Sequence, residues 1–330
     1  LLSVTGVVPG QIEVGGATTA SAKTLFDIVK NLPDGDVRLE VDENQWLQVR
    51  CGRVRYRIAG IPSEDFPDMP SAEDVDFFCI DAAFLQRVIE QTHFAVSPDE
   101  GRPHLNGALF QGEGDLIRMV ATDGHRLSMV ERKIESEKPA NYNFSMLVPL
   151  KAIQELRKLL DEGAGDIEIG AAEPNAFFRR FLAGAGDGVE TEITMSVKLV
   201  DARFPPYEKV IPKSTEREVI TSRLALIQAI RRASLISRDK SAAMRLAFSQ
   251  DKITVASDNP DVGEAHEEVD AQYDGEAMEM GFNARYLLDS LGALDSEDVS
   301  LSLNGPTDAC VIRIANDMSY TGVVMPMRLD

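Results

Sequence analysis

The chain is poor in aromatic residues and contains no long apolar run. Aromatic side chains make up 6% of its 330 residues, and tryptophan occurs once, which argues against base stacking as a way of holding nucleic acid. No apolar stretch approaches the roughly 18 residues of a membrane-spanning helix, and the first residues lack the basic segment of a secretory signal. These absences favour a cytoplasmic protein that does not enter a membrane.

Cysteine is also scarce. Cys51, Cys79 and Cys310 are widely spaced, and each lies in an apolar, strand-like stretch. A disulfide framework uses an even number of cysteines, and a metal site uses closely spaced ligands. We therefore expect three buried, reduced thiols, and neither a metal nor a cofactor is predicted.

Catalytic motifs are missing as well. None of the four histidines stands in a zinc-binding HExxH spacing, and neither a phosphate-binding GxxxxGK[ST] loop nor a GxSxG elbow is present. The stretch TDGHR groups Asp123, His125 and Arg126, but no nucleophile or metal ligand lies nearby in the sequence. Three interpretations stay open at this point: an enzyme that uses these residues, a tight turn at Gly124 that projects His125 and Arg126 towards a partner, and a purely structural turn.

Basic residues are outnumbered, 34 against 54, for a net charge of −20. This excess of acid disfavours contact with DNA unless the charges are segregated. They are segregated: the helices predicted at 22–31, 81–94, 150–160, 222–240 and 283–292 hold twelve basic and six acidic residues, so they sum to +6 and the remainder to −26. A positive surface inside an acidic protein attracts a polyanion to that surface alone. The alternative is that lysine and arginine simply solvate the helices.

A pattern of about 130 residues repeats along the chain. The segments at 18–41, 147–170 and 280–303 share an amphipathic helix, a turn and an alternating strand, and VATD at 120–123 matches VASD at 255–258. Strand-like alternation and helical stripes together indicate an α+β fold. The predicted domains are 1–72, 73–216 and 217–330, and the first carries only the second half of the pattern.

Helix starts are marked by residues that can satisfy free backbone N–H groups. Asp81, Ser222 and Asn283 are each predicted to cap a helix. Pro149 suits the first turn of another helix, because its missing N–H would lack a partner there in any case.

Five stretches of the sequence are specific enough to indicate a family. VATDGHRLSMVE (120–131), KLVDARFPPYEKVIP (198–212), SDNPDVGEAHEEV (257–269), MEMGFNARYLLDSL (278–291) and TGVVMPMRL (321–329) resemble, in order, signature stretches of the bacterial β sliding clamp family. The similarity runs from about Gly16 to Leu329. It implies three repeated domains, each with paired sheets outside and two helices inside, of which the first here lacks its N-terminal half, about 45 residues.

The resemblance also implies a function. Two subunits would close head-to-tail into a ring around double-stranded DNA, bound without regard to sequence, and would act as a processivity factor rather than an enzyme. Implied partners are the replicative polymerase, the clamp loader, and repair or translesion polymerases.

A pocket for their short hydrophobic peptide motifs is implied between the second and third domains. Its expected residues are Leu105, Thr122, Gly124, His125, Arg126, Leu127, Pro205, Val210, Asn283, Tyr286, Val323, Val324, Met325, Pro326, Met327 and Arg328. The methionines would be pliable walls, and Arg126 and Arg328 would orient the peptide.

Two further surfaces follow from the same resemblance. The residues expected to face DNA are Lys23, Lys30, Arg102, His104, Lys151 and Lys158. Those expected at the subunit junction are Arg55, Tyr56 and Ile58 of one copy against Leu235 and Ile236 of the other.

The chain departs from the family pattern at three positions. Lys209 replaces the usual arginine, Pro206 replaces an acidic residue, and Ser241 falls where some relatives carry a large aromatic residue. The match is weakest at 304–311, so the membership of Thr307 and Cys310 in the pocket is left open.

Overall fold

The computed structural model describes residues 2–7, 10–134, 142–161, 165–183, 190–237 and 243–328. Arg238 and Lys240, which fall in a predicted helix, and Ser241 lie outside the described residues. The chain folds into two compact units: a small unit, Val8–Glu73, and a large unit made of Leu1–Val7 and Asp74–Asp330.

The secondary structure consists mostly of antiparallel strands with a few short helices. The helices are α1 (Ala22–Lys30), α2 (Ala82–Glu90), α3 (Leu150–Leu160), α4 (Arg223–Ala233) and α5 (Ala284–Gly292). The strands are β1 (Leu2–Gly6), β2 (Val37–Val41), β3 (Trp46–Cys51), β4 (Val54–Ala59), β5 (Phe77–Asp81), β6 (Gly107–Gly114), β7 (Leu116–Thr122), β8 (Arg126–Lys133), β9 (Tyr142–Pro149), β10 (Asp166–Ala172), β11 (Asn175–Ala183), β12 (Glu190–Lys198), β13 (Arg217–Ser222), β14 (Ala243–Ser249), β15 (Lys252–Asn259), β16 (Gly263–Gln272), β17 (Met278–Asn283), β18 (Asp298–Leu303), β19 (Cys310–Ile314) and β20 (Asp317–Val324). Single-turn 3-10 helices occur at Ser63–Asp65, His93–Ala95 and Tyr207–Lys209.

The predicted repeat is visible in the order of elements. From β5 to β12 the chain runs strand, helix, four strands, helix, three strands, and from β13 to β20 it runs through the same order. The small unit, with α1 followed by β2, β3 and β4, has the order of the second half of such a repeat. The α+β repeat inferred from the sequence is therefore confirmed.

Strand pairing joins the two complete repeats. One sheet of twelve strands has the order β17-β14-β15-β16-β13-β18-β19-β20-β8-β7-β6-β9, so the last strand of the third repeat pairs with a strand of the second. The joint aligns Val323 with Leu127 and Val324 with Arg126. A five-stranded sheet, β1-β12-β11-β10-β5, contains a similar joint, because β1 pairs with β12, the last strand of the second repeat.

Each complete repeat buries a pair of helices against its sheets. Leu85, Val88 and Ile89 of α2 are 1% exposed and pack in one continuous core with residues of α3. The small unit has its own core, in which Ile28 of α1 packs against Leu47, Val49 and Ile58.

The helix starts agree with the sequence in part. The side chains of Asp81 and Asn283 each accept a hydrogen bond from a backbone N–H in the first turn of the helix that follows. Ser222 holds the capping position of α4 but makes no such bond. Pro149 is a correction: α3 begins one residue later, so the proline precedes the helix instead of forming its first turn.

Two helices end several residues earlier than predicted. The one expected at 222–240 ends at Ala233, and the one expected at 81–94 ends at Glu90 and is followed by the 3-10 turn His93–Ala95. The charge segregation is unaffected, because the five observed helices hold ten basic and four acidic residues and still sum to +6. No helix of the described residues is long and apolar enough to span a membrane.

The cysteines are free thiols, but their burial differs from the prediction at one position. Cys51 and Cys310 are buried, whereas Cys79 is exposed on β5. Burial raises the pKa of the Cys310 thiol to about 12. Partial burial and the neighbouring Asp166 carboxylate raise the pKa of Cys79 to about 11, so neither thiol ionises near neutral pH.

Candidate functional site

The turn at residues 122–126, between β7 and β8, is held by its own side chains. The Asp123 carboxylate accepts hydrogen bonds from the backbone N–H groups of His125 (2.9 Å) and Arg126 (3.0 Å). The Thr122 hydroxyl accepts from the N–H of Gly124 and donates to the carbonyl of Arg126. Gly124 has a φ of +93°, which favours glycine. The sequence TDGHR thus specifies one rigid turn that leaves His125 exposed.

Arg126 is buried beside this turn, with 8% of its surface exposed. Its guanidinium donates from Nε to Asp123 (3.1 Å), from Nη1 to Asp289 (2.6 Å) and from Nη2 to the carbonyl of Phe94 (2.7 Å). The rings of Tyr286 and Phe94 lie 4.6 and 5.3 Å from its central carbon. All three nitrogens therefore have partners within the protein, and Asp289 is a member of this cluster that the sequence did not reveal.

Tyr286 connects this cluster to the exposed part of the turn. Its ring lies nearly parallel to that of His125, with the ring centres 6.2 Å apart and an angle of 18° between the planes. Tyr286 belongs to α5 of the third repeat and His125 to the second. The two rings therefore form one wall that crosses the junction between the repeats.

The C-terminal segment, residues 325–328, forms a second wall. The N–H of Met325 donates to the carbonyl of His125 (2.9 Å), and that of Met327 donates to the carbonyl of Gly281 on β17 (2.8 Å). These bonds fix the segment to both repeats, with Met325 38% exposed. Its methionine side chains can adapt to ligands of different shape.

An apolar cluster lies on one face of the joint between β8 and β20. Leu127 and Val323 sit opposite each other and pack with Val120, Phe204 and Tyr207. Beside the two covering aromatic residues stand the partly buried Pro205 and the exposed Val210.

Several other residues predicted for the pocket are buried or already used in other contacts. Val324 and Cys310 both lie in the large core that packs against the helices. Val324 is 0% exposed and Cys310 is 1% exposed. Leu105 is 6% exposed, and Asn283 uses its side chain to cap α5. Pro326, Met327 and Arg328 lie at the surface to varying extents, and Thr307 is exposed. The membership of all these residues in the pocket stays a prediction.

The junction beneath the turn contains a buried polar chain. The Ser128 hydroxyl donates to the carbonyl of Gln91 (2.5 Å) and lies 3.3 Å from the hydroxyl of Tyr320. Burial raises the pKa of Tyr320 to about 12, so its hydroxyl stays protonated and can act as a hydrogen-bond donor. These bonds connect the second repeat to the third.

The residues expected to face DNA all lie on helices or the loop at 97–106. Lys23 and Lys30 are exposed on α1 of the small unit, and Lys151 and Lys158 are exposed on α3 of the large unit. Lys158 pairs with Glu155 at 2.8 Å.

The other two members of that set lie near the turn. Arg102 pairs with Asp99 (3.0 Å) and donates to the carbonyl of Asp123 (3.2 Å), so it also supports the turn. His104 is partly buried.

The expected subunit-junction residues lie on both units. Arg55 and Tyr56 are exposed on β4 of the small unit, whereas Ile58 is buried in that unit's core. Leu235, just beyond α4 of the large unit, is 73% exposed, and Ile236 beside it is partly buried.

Three family models match the chain in succession. They are the N-terminal domain of the DNA polymerase III beta subunit at residues 2–70, its central domain at 79–206 and its C-terminal domain at 208–328. The chain belongs to the DNA polymerase III β subunit family. The N-terminal, central and C-terminal domains of that family are therefore all represented.

Known members of the β subunit family are similar to this chain along nearly its whole length. The beta sliding clamp of Salmonella typhimurium is 36% identical over 315 residues, which is 95% of this chain and 82% of the relative. That of Proteus mirabilis is 38% identical over 319 residues, again 95% and 82%. The solved sliding clamp of Pseudomonas aeruginosa bound to griselimycin has a TM-score of 0.88 and 34% identity, covering 99% of this chain and 86% of that one.

Proposed function

We propose that the chain is the subunit of a ring-shaped DNA sliding clamp that confers processivity on the replicative polymerase in the cytoplasm. The observation that carries this proposal is the strand joint between successive repeats, which occurs as β20 with β8 and again as β12 with β1. A joint that links each repeat to the next is the element needed to build a closed ring from copies of one domain. We also propose the domain boundaries 1–72, 73–216 and 217–330.

Ring closure uses the edges that remain. Among the described residues, β4 pairs only with β3, and β16 meets β13 through two residue pairs at its end. In the repeated order β4 corresponds to β12 and β20, and β16 corresponds to β8. A third joint of the same kind would therefore pair β4 of one copy with β16 of another, head to tail.

Charge supports this closure. The edge strand β4 carries Arg55 and Arg57, and Arg53 precedes it in the turn, whereas β16 carries four carboxylates. Opposite charges on facing strands stabilise their pairing. The expected junction residues Arg55 and Tyr56 lie on this basic edge. The acidic residues of β16 are Glu264, Glu267, Glu268 and Asp270.

The ring holds DNA by enclosing it. The helices sum to +6 in a chain of −20, and lysines such as Lys151 and Lys158 would contact phosphates without reading sequence. Such contacts are weak and sensitive to salt, which allows sliding because the ring prevents escape.

The docking pocket of the clamp consists of three parts. They are the wall of His125 and Tyr286, the second wall at residues 325–328, and the apolar cluster around Leu127 and Val323. The pocket binds short hydrophobic segments of the polymerase, the clamp loader and repair or translesion polymerases, and tethering raises their local concentration at the primer end. We further propose that griselimycin, which is bound to the Pseudomonas aeruginosa clamp, binds this chain in the same pocket. The chain is thus a processivity subunit and not an enzyme.

The test of the ring is retention on DNA of two topologies. The full chain is loaded with its clamp loader and ATP onto nicked circular plasmid, and half of the sample is then cut once with a restriction enzyme. Gel filtration should recover the chain with the circles and release it from the linear DNA. Equal retention on both would contradict a topological clamp.

His125→Ala separates the clamp from the alternative of an enzyme at the 122–126 turn. In a clamp, this change weakens the binding of griselimycin, whereas rings that are already loaded stay on circular plasmid as long as those of the unchanged chain. Loss of turnover of a small substrate, with griselimycin binding unchanged, would favour the enzyme.

A further inference from the structure

Asp289 lies outside the set of pocket residues that the sequence implied, yet its carboxylate makes the shortest contact of the Arg126 cluster. The distance from its Oδ2 to Nη1 of Arg126 is 2.6 Å. Asp289 belongs to α5 of the third repeat and Arg126 to β8 of the second. This ion pair therefore crosses the same junction as the wall formed by His125 and Tyr286.

We propose that Asp289 is a positioning residue of the docking pocket: it holds Arg126, and through Arg126 the rings of Tyr286 and His125, in the arrangement that receives a peptide. The proposal rests on the pocket assigned under the proposed function. Asp289 itself is not required to touch the ligand, and its side chain is 31% exposed.

Arg126 is buried, so its charge depends on its partners within the protein. Its side chain is 8% exposed, so removal of a charged partner leaves a cation that water cannot fully solvate. Asp123 would still hold Nε and the Phe94 carbonyl would still hold Nη2. The Nη1 group would be without its carboxylate, and we expect the guanidinium to turn towards solvent.

Movement of Arg126 would disturb the exposed wall. The Tyr286 ring lies 4.6 Å from the guanidinium carbon and also stacks with His125. A shift of the cation removes a favourable contact with the tyrosine ring. The two rings would then sample several arrangements, and a ligand would have to order them on binding.

A comparison of the repeats supports a specific role. The VATD stretch of the second repeat continues as Gly-His-Arg, whereas the matching VASD stretch of the third continues as Asn-Pro-Asp. The third repeat thus lacks an arginine at the position of Arg126. The second repeat therefore has, at this turn, an arginine that the carboxylate of Asp289 can hold, and the third repeat has none at the matching position.

The test is calorimetric titration of griselimycin into the full chain and three variants. Asp289→Asn should weaken binding by about 10-fold or more, because it removes the charged partner of a buried arginine. Asp289→Glu keeps the carboxylate and should stay within about threefold of the unchanged protein. Asp295→Asn, just beyond α5 and exposed, makes the same charge change away from Arg126 and should have no effect.

A double-mutant cycle shows whether Asp289 acts through Arg126. In an Arg126→Met background, Asp289→Asn should add less than about twofold, because the pair is already broken. Retention on circular plasmid and the melting temperature of Asp295→Asn should match the unchanged protein. Full additivity, or griselimycin binding that Asp289→Asn leaves unchanged, would overturn the positioning role alone, whereas failure of the unchanged chain to bind griselimycin would overturn the pocket itself.

Discussion

At the scale of single residues, Gly124 is where the backbone of the turn depends most on the absence of a side chain. Its φ is +93°, and its ideal Cβ would meet only the Arg102 guanidinium, at 3.8 Å. A substitution is therefore costly because of backbone strain and not because of crowding. Gly124→Ala should lower the free energy of unfolding by about 1–3 kcal/mol, measured by urea unfolding. Gly292→Ala is the control, since that glycine has space and no positive φ; an equal loss there would contradict the explanation.

His93 makes the stability of the folded chain depend on pH. Its Nε2 lies 3.1 Å from Arg157 Nη1, and its Nδ1 lies 3.0 Å from the carbonyl of Ile89. Burial, with the adjacent Arg157 charge as the second cause, lowers the pKa of His93 below its ordinary value of 6.5. The unfolded chain therefore takes up this proton more readily than the folded chain. The stabilisation is present above pH 6.5 and is lost as the pH falls through the lowered pKa.

His93→Gln should consequently flatten the decline in unfolding free energy between about pH 7 and 5. The measurement is a series of urea titrations across that range. A decline that is the same with and without His93 would rule this residue out as its source.

At the scale of elements, two helices at matching positions of the repeats differ in their caps. The Asp81 carboxylate accepts a hydrogen bond from the N–H of Phe84 at 2.7 Å, whereas Ser222 makes no capping bond. Asp81→Ala should therefore destabilise the protein by about 1 kcal/mol, and Ser222→Ala by only a few tenths. Urea unfolding of the two variants side by side is the measurement. Equal effects would mean that the cap of α2 contributes nothing specific.

The helix starts, the strands and the repeat could be predicted because they depend on local spacing. Helix ends could not: the pattern at 222–240 stayed compatible with a helix beyond Ala233, where α4 ends. The turn at 122–126 could likewise be anticipated from Gly124. Asp289 could not, because it meets Arg126 only after two repeats have joined, and the two residues are 163 positions apart.

At the scale of the whole molecule, ring closure is predicted to depend on the basic edge at β4. Arg55→Glu places a carboxylate opposite the acidic strand β16 of the second copy, and like charges on facing strands repel. Light scattering should show a dimer for the unchanged chain and a shift to monomer for the variant. Arg38→Glu on β2, the opposite edge of the same sheet, should remain dimeric. Dissociation of both variants alike would argue against the β4 edge as the contact.

The twelve-stranded sheet also has a mechanical consequence. In the proposed clamp, a polymerase docked against residues 325–328 would pull on a segment that continues directly into β20, and β20 is bonded to β8 along Tyr320–Val324. A force along the strand direction would load the hydrogen bonds between β20 and β8 all at once. A force perpendicular to the strands would break the same hydrogen bonds one after another. In the proposed clamp, the pulling force of the polymerase would thereby be shared between two repeats.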